Sequence, residues 1–216
     1  MEDLLPRVVV VAIMLLVGFP VHEFAHALAA YRLGDSTARF MGRLTLNPVA
    51  HFDPLGGILL AVTFIGGFLG FGWAKPTPVN PRNLEGGRYG EAIVAAAGPI
   101  SNLVLAIAAA IPFRYLIANP GLATQIPLFV LEVVYLFVTI NIVLMVFNLF
   151  PIPPLDGSKV LFAFLPPQTA WRWRPILEQY GFILLLIVFF VPPGNSIGFK
   201  ILAPIIFGLR DFLVGV

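Results

Sequence analysis

The chain contains no cysteine, which excludes disulfides and thiolate ligands and leaves nitrogen and oxygen as the donors for any zinc. Charge is almost as scarce: 11% of the 216 residues are Asp, Glu, Lys or Arg, the net charge is +2, and no Lys/Arg run suggests nucleic acid as a partner. Histidine occurs three times. What is abundant is apolar. Hydrophobic residues make up 59% of the chain and the mean hydropathy is +0.94, so the lipid bilayer is the expected solvent. With no internal repeat or low-complexity tract, residues 1–216 read as one integral-membrane domain.

A spanning helix needs about 20 mostly apolar residues. Segments 4–33, 92–117, 126–150 and 181–191 with its flanks meet or approach that length, and a fifth, 197–214, is interrupted by Pro204. Arg7 followed by the apolar run 8–17 imitates a secretory signal. A cleavable signal does not carry His22, Glu23 and His26 just beyond its apolar core, so this is read as a retained helix. The expected fold is an all-α polytopic bundle of about five transmembrane helices.

Region 36–90 reads as a membrane-associated insertion between the first two spans. From Ser36 to Leu46 polar and apolar residues roughly alternate, which predicts a short strand pair near the membrane surface. Segment 55–71 is apolar but rich in glycine, and a helix of that length reaches only about 25 Å against a 30 Å hydrocarbon core, so a re-entrant segment is expected. With that segment re-entrant, Arg32, Arg39, Arg43, Lys75, Arg82, Arg88, Lys159, Arg172, Arg174 and Arg210 share one side, against Arg7, Arg114 and Lys200. Ten against three puts the 32–88 loop in the cytoplasm of a multi-pass protein, with the cell membrane its expected location.

Three ionisable residues in an apolar helix need pairing, a metal or a wet cavity. His22 and His26, four apart on a helix, share a face, and Glu23 projects beside them. That spacing suits one zinc ion with an open position for a water of lowered pKa, Glu23 taking its proton. Candidates for the third ligand are His51, Asp53, Glu132 and Asp156. Asp156 closes Asn148-Leu-Phe-Pro-Ile-Pro-Pro-Leu-Asp-Gly157 directly after the third span, although a plain Asp-Gly turn is the alternative reading. A re-entrant 55–71 brings Asp156 to the same side as His22 and His26. A full crossing there would part them. His51 is left out of the ligand set, and Glu132 lies far from the proposed zinc.

His22-Glu23-Phe24-Ala25-His26, Gly98-Pro99-Ile100-Ser101-Asn102 and 148–157, in this order, resemble the site-2 protease family of intramembrane zinc metalloproteases, in a compact form without appended regulatory domains. The resemblance implies His22, His26 and Asp156 as zinc ligands, Glu23 as general base, Asn148 as an oxyanion donor and Asn102 as a supporting polar residue. It implies endoproteolytic cleavage in or near a transmembrane segment of a protein substrate. A membrane divalent-metal transporter or sensor is the alternative, and Glu23 separates the two: hydrolysis needs a carboxylate beside the ligands, whereas transport gains little from one. The strands between Ser36 and Leu46 are expected to pair with an unwound substrate by edge addition.

Overall fold

The computed structural model describes residues 4–66, 72–192 and 196–215. Every regular element among them is helical. The major helices are α1 (Leu4–Arg32), α2 (Pro54–Ile65), α3 (Arg88–Ile117), α4 (Leu128–Asn148), α5 (Asp156–Phe164), α6 (Pro167–Phe190) and α7 (Ile197–Val214). Of these, α1, α3, α4 and α6 are long and apolar enough to cross a membrane. The expected count of about five is not confirmed: among the described residues four helices meet that length and composition.

Helix α1 contains a π-turn over Met14–Gly18, directly before Pro20. Proline has no N–H and its ring presses on the carbonyl four residues back, so a wider turn preceding it is the natural accommodation. Gly18 leaves room for the Met14 side chain, whose Cε would lie 2.2 Å from a Cβ there and would have to shift. Helix α3 is the central post, packed against α1, α4 and α5. Its buried stripe Ala95, Gly98, Asn102, Ala106 and Ala110 is small, which lets neighbouring backbones approach closely. One apolar core joins Phe113, Ile142, Leu185, Phe189 and Ile206, and a second joins Val10, Met14, Phe19, Leu60 and Leu144.

The strand pair expected between Ser36 and Leu46 is absent: Thr37–Phe40 is a helical turn. Asp35 dictates it by accepting from the Thr37 N–H at 3.1 Å and the Thr37 hydroxyl at 2.5 Å, and Arg43 N–H then closes onto Ala38 O at 2.7 Å. Nor does the alternation report a buried face, since Phe40 is 86% and Met41 62% exposed. Edge pairing at these residues falls with the strands. Asp35 is fully buried and also accepts from Asn80 N–H at 2.7 Å and Asn83 Nδ2 at 3.0 Å, stapling this loop to the turn before α3. Burial alone would raise its carboxyl pKa; the bonds from Thr37, Asn80 and Asn83 outweigh that and hold it below the usual carboxylate range.

Asp53 caps α2 by accepting from Gly56 N–H at 2.9 Å, and Pro54 opens the helix. Twelve residues reach about 18 Å. The chain then returns: Lys75 N–H donates to His51 O at 2.8 Å, and Gly56 lies so close to Trp73 that a Cβ would sit 2.0 Å from its carbonyl oxygen. Both limbs of this excursion thus meet at one level, as a re-entrant segment requires. Residues 67–71 of the expected 55–71 segment lie outside the described residues.

The far half of the bundle corrects the charge map. Arg88, opening α3, donates to Leu165 O just after α5, at 2.9 Å. Helix α6 begins at that same end, where Arg174 grips Glu91, and also finishes there, with Phe189 against Phe147 and Phe150. It is α7 that runs the height of the bundle, from Phe199 against Phe189 to Phe212, whose carbonyl accepts from Arg114 at 3.1 Å. Arg210, stacked over Tyr135, therefore lies towards the far end, and Lys200 near the Asp156 end. The two exchange places and the ten-to-three count is unchanged.

Candidate metal centre

His22 and His26 stand one turn apart on α1, their Nε2 atoms 3.1 Å from each other. Asp156 is the first residue of α5 and presents Oδ2 at 3.5 Å from His22 Nε2 and 3.2 Å from His26 Nε2. Gly157 makes this possible: a Cβ there would lie 2.0 Å from Leu149 O, so only glycine lets the start of α5 fold back under the end of α4. The Asp-Gly pair is a helix start rather than a free turn. Gly98 of α3 floors the site, its Cβ position 2.3 Å from His26 Nε2 and 2.6 Å from His22 Nε2.

Hydrogen bonds fix which ring nitrogens carry protons. His26 Nδ1 lies 2.7 Å from Val94 O, an atom that can only accept, so Nδ1 is protonated and Nε2 bears a lone pair. His22 Nδ1 lies 2.6 Å from Asn102 Oδ1 and takes the same tautomer. Two lone pairs then face each other and a carboxylate. Such a set demands a cation among the three atoms. The group could hold a metal ion. Three donors at 2.0–2.1 Å from a tetrahedral zinc lie about 3.3–3.4 Å apart, and the three observed separations bracket that value.

Glu23 is buried beside the group, its Oε2 accepting from Thr77 N–H at 2.7 Å and its carbonyl from the Thr77 hydroxyl at 3.0 Å. Lys159 sits 3.8 Å from Asp156 Oδ1, the oxygen turned away from the histidines. Asn148 ends α4, half-buried, with Nδ2 donating to Leu144 O at 2.9 Å. The other candidates are elsewhere. His51 is buried with Nε2 donating to Thr45 O at 2.8 Å and Nδ1 without a partner, Asp53 caps α2, and Glu132 is half-buried near the start of α4.

Sequence reasoning missed Thr77 and Asn141. Asn141 is fully buried and accepts from Asn102 Nδ2 at 2.9 Å. An amide in the middle of a 21-residue apolar helix was a signal available from the start. Thr77 left no such trace, because its partner is 54 residues away.

Comparison with known proteins agrees with this chemistry. The family model described as "Peptidase family M50" matches residues 116–188, which hold Asn148 and Asp156 but not the His22–His26 motif. Over 189 residues the chain is 40% identical to "Putative zinc metalloprotease YwhC" of Bacillus subtilis, covering 86% of this chain and 82% of that protein. It is 32% identical over 182 residues to "Putative zinc metalloprotease Rip2" of Mycobacterium tuberculosis H37Rv, and 31% over 180 residues to the Rip2 of Mycolicibacterium smegmatis; these cover 84% and 83% of this chain and 66% of each relative. No solved structure matches.

Proposed function

The chain belongs to peptidase family M50, the site-2 protease family, and we propose that it is a zinc-dependent intramembrane endopeptidase that hydrolyses a peptide bond in or near a transmembrane segment of a protein substrate. The carrying observation is the convergence of His22, His26 and Asp156, each within 3.5 Å of the others, on helices of an apolar multi-pass bundle. These three hold one zinc. When bound, the ion supplies Lewis acidity, polarising the scissile carbonyl and lowering the pKa of water.

Glu23 serves as general base. Its Oε2 is tied to Thr77, which leaves Oε1 to take the proton of the attacking water and hand it to the leaving amine. Asn148 gives one amide hydrogen to Leu144 O and keeps a second for the developing oxyanion, a contact worth about 3 kcal/mol in a water-poor site. A peptide bond in a helix is shielded by its own hydrogen bonds, so the substrate unwinds locally before attack. The charge asymmetry supports a centre towards the cytoplasm, where water reaches it without crossing the bilayer.

The test compares the proteomes of membranes carrying the wild-type chain or Glu23→Gln, with zinc measured in both purified proteins. The reading predicts one zinc in each and uncleaved spanning segments accumulating with the variant. Identical proteomes, or a wild-type chain that holds no zinc, would contradict it.

A further inference from the structure

A primary amide next to a metal-ligating histidine is ambivalent. If Asn102 turns its oxygen to His22, Nδ1 must carry the proton and Nε2 offers a lone pair to the ion; if Asn102 turns its NH2, the tautomer reverses and Nε2 points a proton at the ligand group. Nothing within Asn102 itself decides between the two. The decision is made on α4. Asn141 Nδ2 lies 2.9 Å from Phe137 O, a backbone carbonyl that can only accept, so that end of the amide must be the donor. Its second N–H faces the Met14 sulfur at 3.5 Å, also an acceptor. Asn141 Oδ1 is thereby left to accept from Asn102 Nδ2 at 2.9 Å, which turns Asn102 Oδ1 to His22 Nδ1 at 2.6 Å. The polarity of the whole chain, Phe137 O to Asn141 to Asn102 to His22, is set by one carbonyl.

We infer that Asn141 is a positioning residue for the metal centre: acting through Asn102, it holds His22 in the tautomer that can bind zinc. Both amides are fully buried, so water cannot replace either bond. The residue also ties three helices around the site, reaching Met14 on α1 and Asn102 on α3 from α4. This inference rests on the zinc reading above and adds a residue to it.

The test is an equilibrium competition for zinc between a chelator and the purified full-length chain in micelles. Asn141→Leu is expected to weaken zinc about 10- to 100-fold, the usual range for partners behind a ligand, with the helical signal retained. Asn102→Asp supplies a carboxylate whose oxygens both accept, so it orients His22 without help. In that background Asn141→Leu should bind zinc within about threefold of wild type, a rescue that packing at position 141 could not produce. Asn141→Ser, too short to join Asn102 to Phe137 O, gives the same pair of results and serves where the leucine variant does not fold. Unchanged zinc affinity in Asn141→Leu or Asn141→Ser, or a folded double variant that stays as weak as the single one, would overturn the inference. A wild-type chain that binds no zinc would instead overturn the reading beneath it.

Discussion

Thr77 holds Glu23 at two points, with its backbone N–H 2.7 Å from the carboxylate and its hydroxyl 3.0 Å from the backbone carbonyl. Pro76 and Pro78 flank it and carry no N–H, so Thr77 is the sole backbone donor of the three. Thr77→Val removes the hydroxyl bond and keeps the amide; at about 1 kcal/mol for one such bond, turnover should fall less than tenfold. Thr77→Pro removes both and should cost roughly 10- to 100-fold, with zinc content unchanged in each. Turnover of a substrate identified by the proteomic comparison checks both values, and a proline variant as active as the valine one would dissociate Thr77 from the base.

Gly98→Ala would place a methyl group 2.3 Å from His26 Nε2 and 2.6 Å from His22 Nε2. Real Cβ atoms do not come so close, so either the imidazoles or α3 must move. Zinc binding should drop at least tenfold while the chain keeps its helical signal, since second contacts of α3 with α4 and α5 are untouched. The measurement is metal stoichiometry after dialysis.

Asp35 carries a pH signature. Its carboxyl is held below its ordinary value by bonds from Thr37, Asn80 and Asn83 that outweigh burial. A carboxyl whose folded pKa is depressed binds its proton more readily in the unfolded chain, so its stabilisation is fully present above the unfolded value of about 4 and is lost as pH falls through the folded one. Asp35→Asn should therefore be less stable than wild type at pH 7, by roughly 2 kcal/mol given the charged hydrogen bonds involved. The gap should begin to narrow below pH 4 and close only as pH falls through the lower folded value. Urea unfolding in micelles across a series from pH 7 down to about pH 2 reads it.

The grip of Arg174 on Glu91 fastens α6 to α3: NH1 lies 2.9 Å from Oε2, NH2 reaches Oε1, and Nε bonds Glu178 at 2.8 Å. Arg174 is about one-third exposed, which lowers the value of the pair from that of a wholly buried one. A double-mutant cycle of Glu91→Gln with Arg174→Met should give a coupling of about 1–2 kcal/mol in thermal unfolding.

What the sequence displays and what it hides divide along a physical line. Local spacing on one helix put His22 and His26 on a common face, and glycine content with short length marked 55–71 as unable to cross. Placement of Asp156 near them followed from counting crossings. The loop 36–46 misled because alternation reports a strand only where one face is buried, and here Phe40 and Met41 stand in the open while Asp35 winds a helical turn. The course of α6 was equally invisible, since hydropathy gives a helix's length and not its direction; the Arg174 and Phe189 contacts decide that. Thr77 acts through a partner on another helix, and no pattern along the chain announces such a bond; Asn141 stood out as an amide within an apolar run, but its partner did not.

The central claim is that one zinc ion is held jointly by α1 and by the start of α5. X-ray absorption at the zinc edge of the purified chain tests it most directly, read beside the Asp156→Ala variant. The account predicts one zinc per chain with two imidazole nitrogens and a carboxylate oxygen at about 2.0–2.2 Å, and loss of the ion when Asp156 is removed. A shell without imidazole, or a variant that keeps its full zinc with both histidines bound, would contradict it.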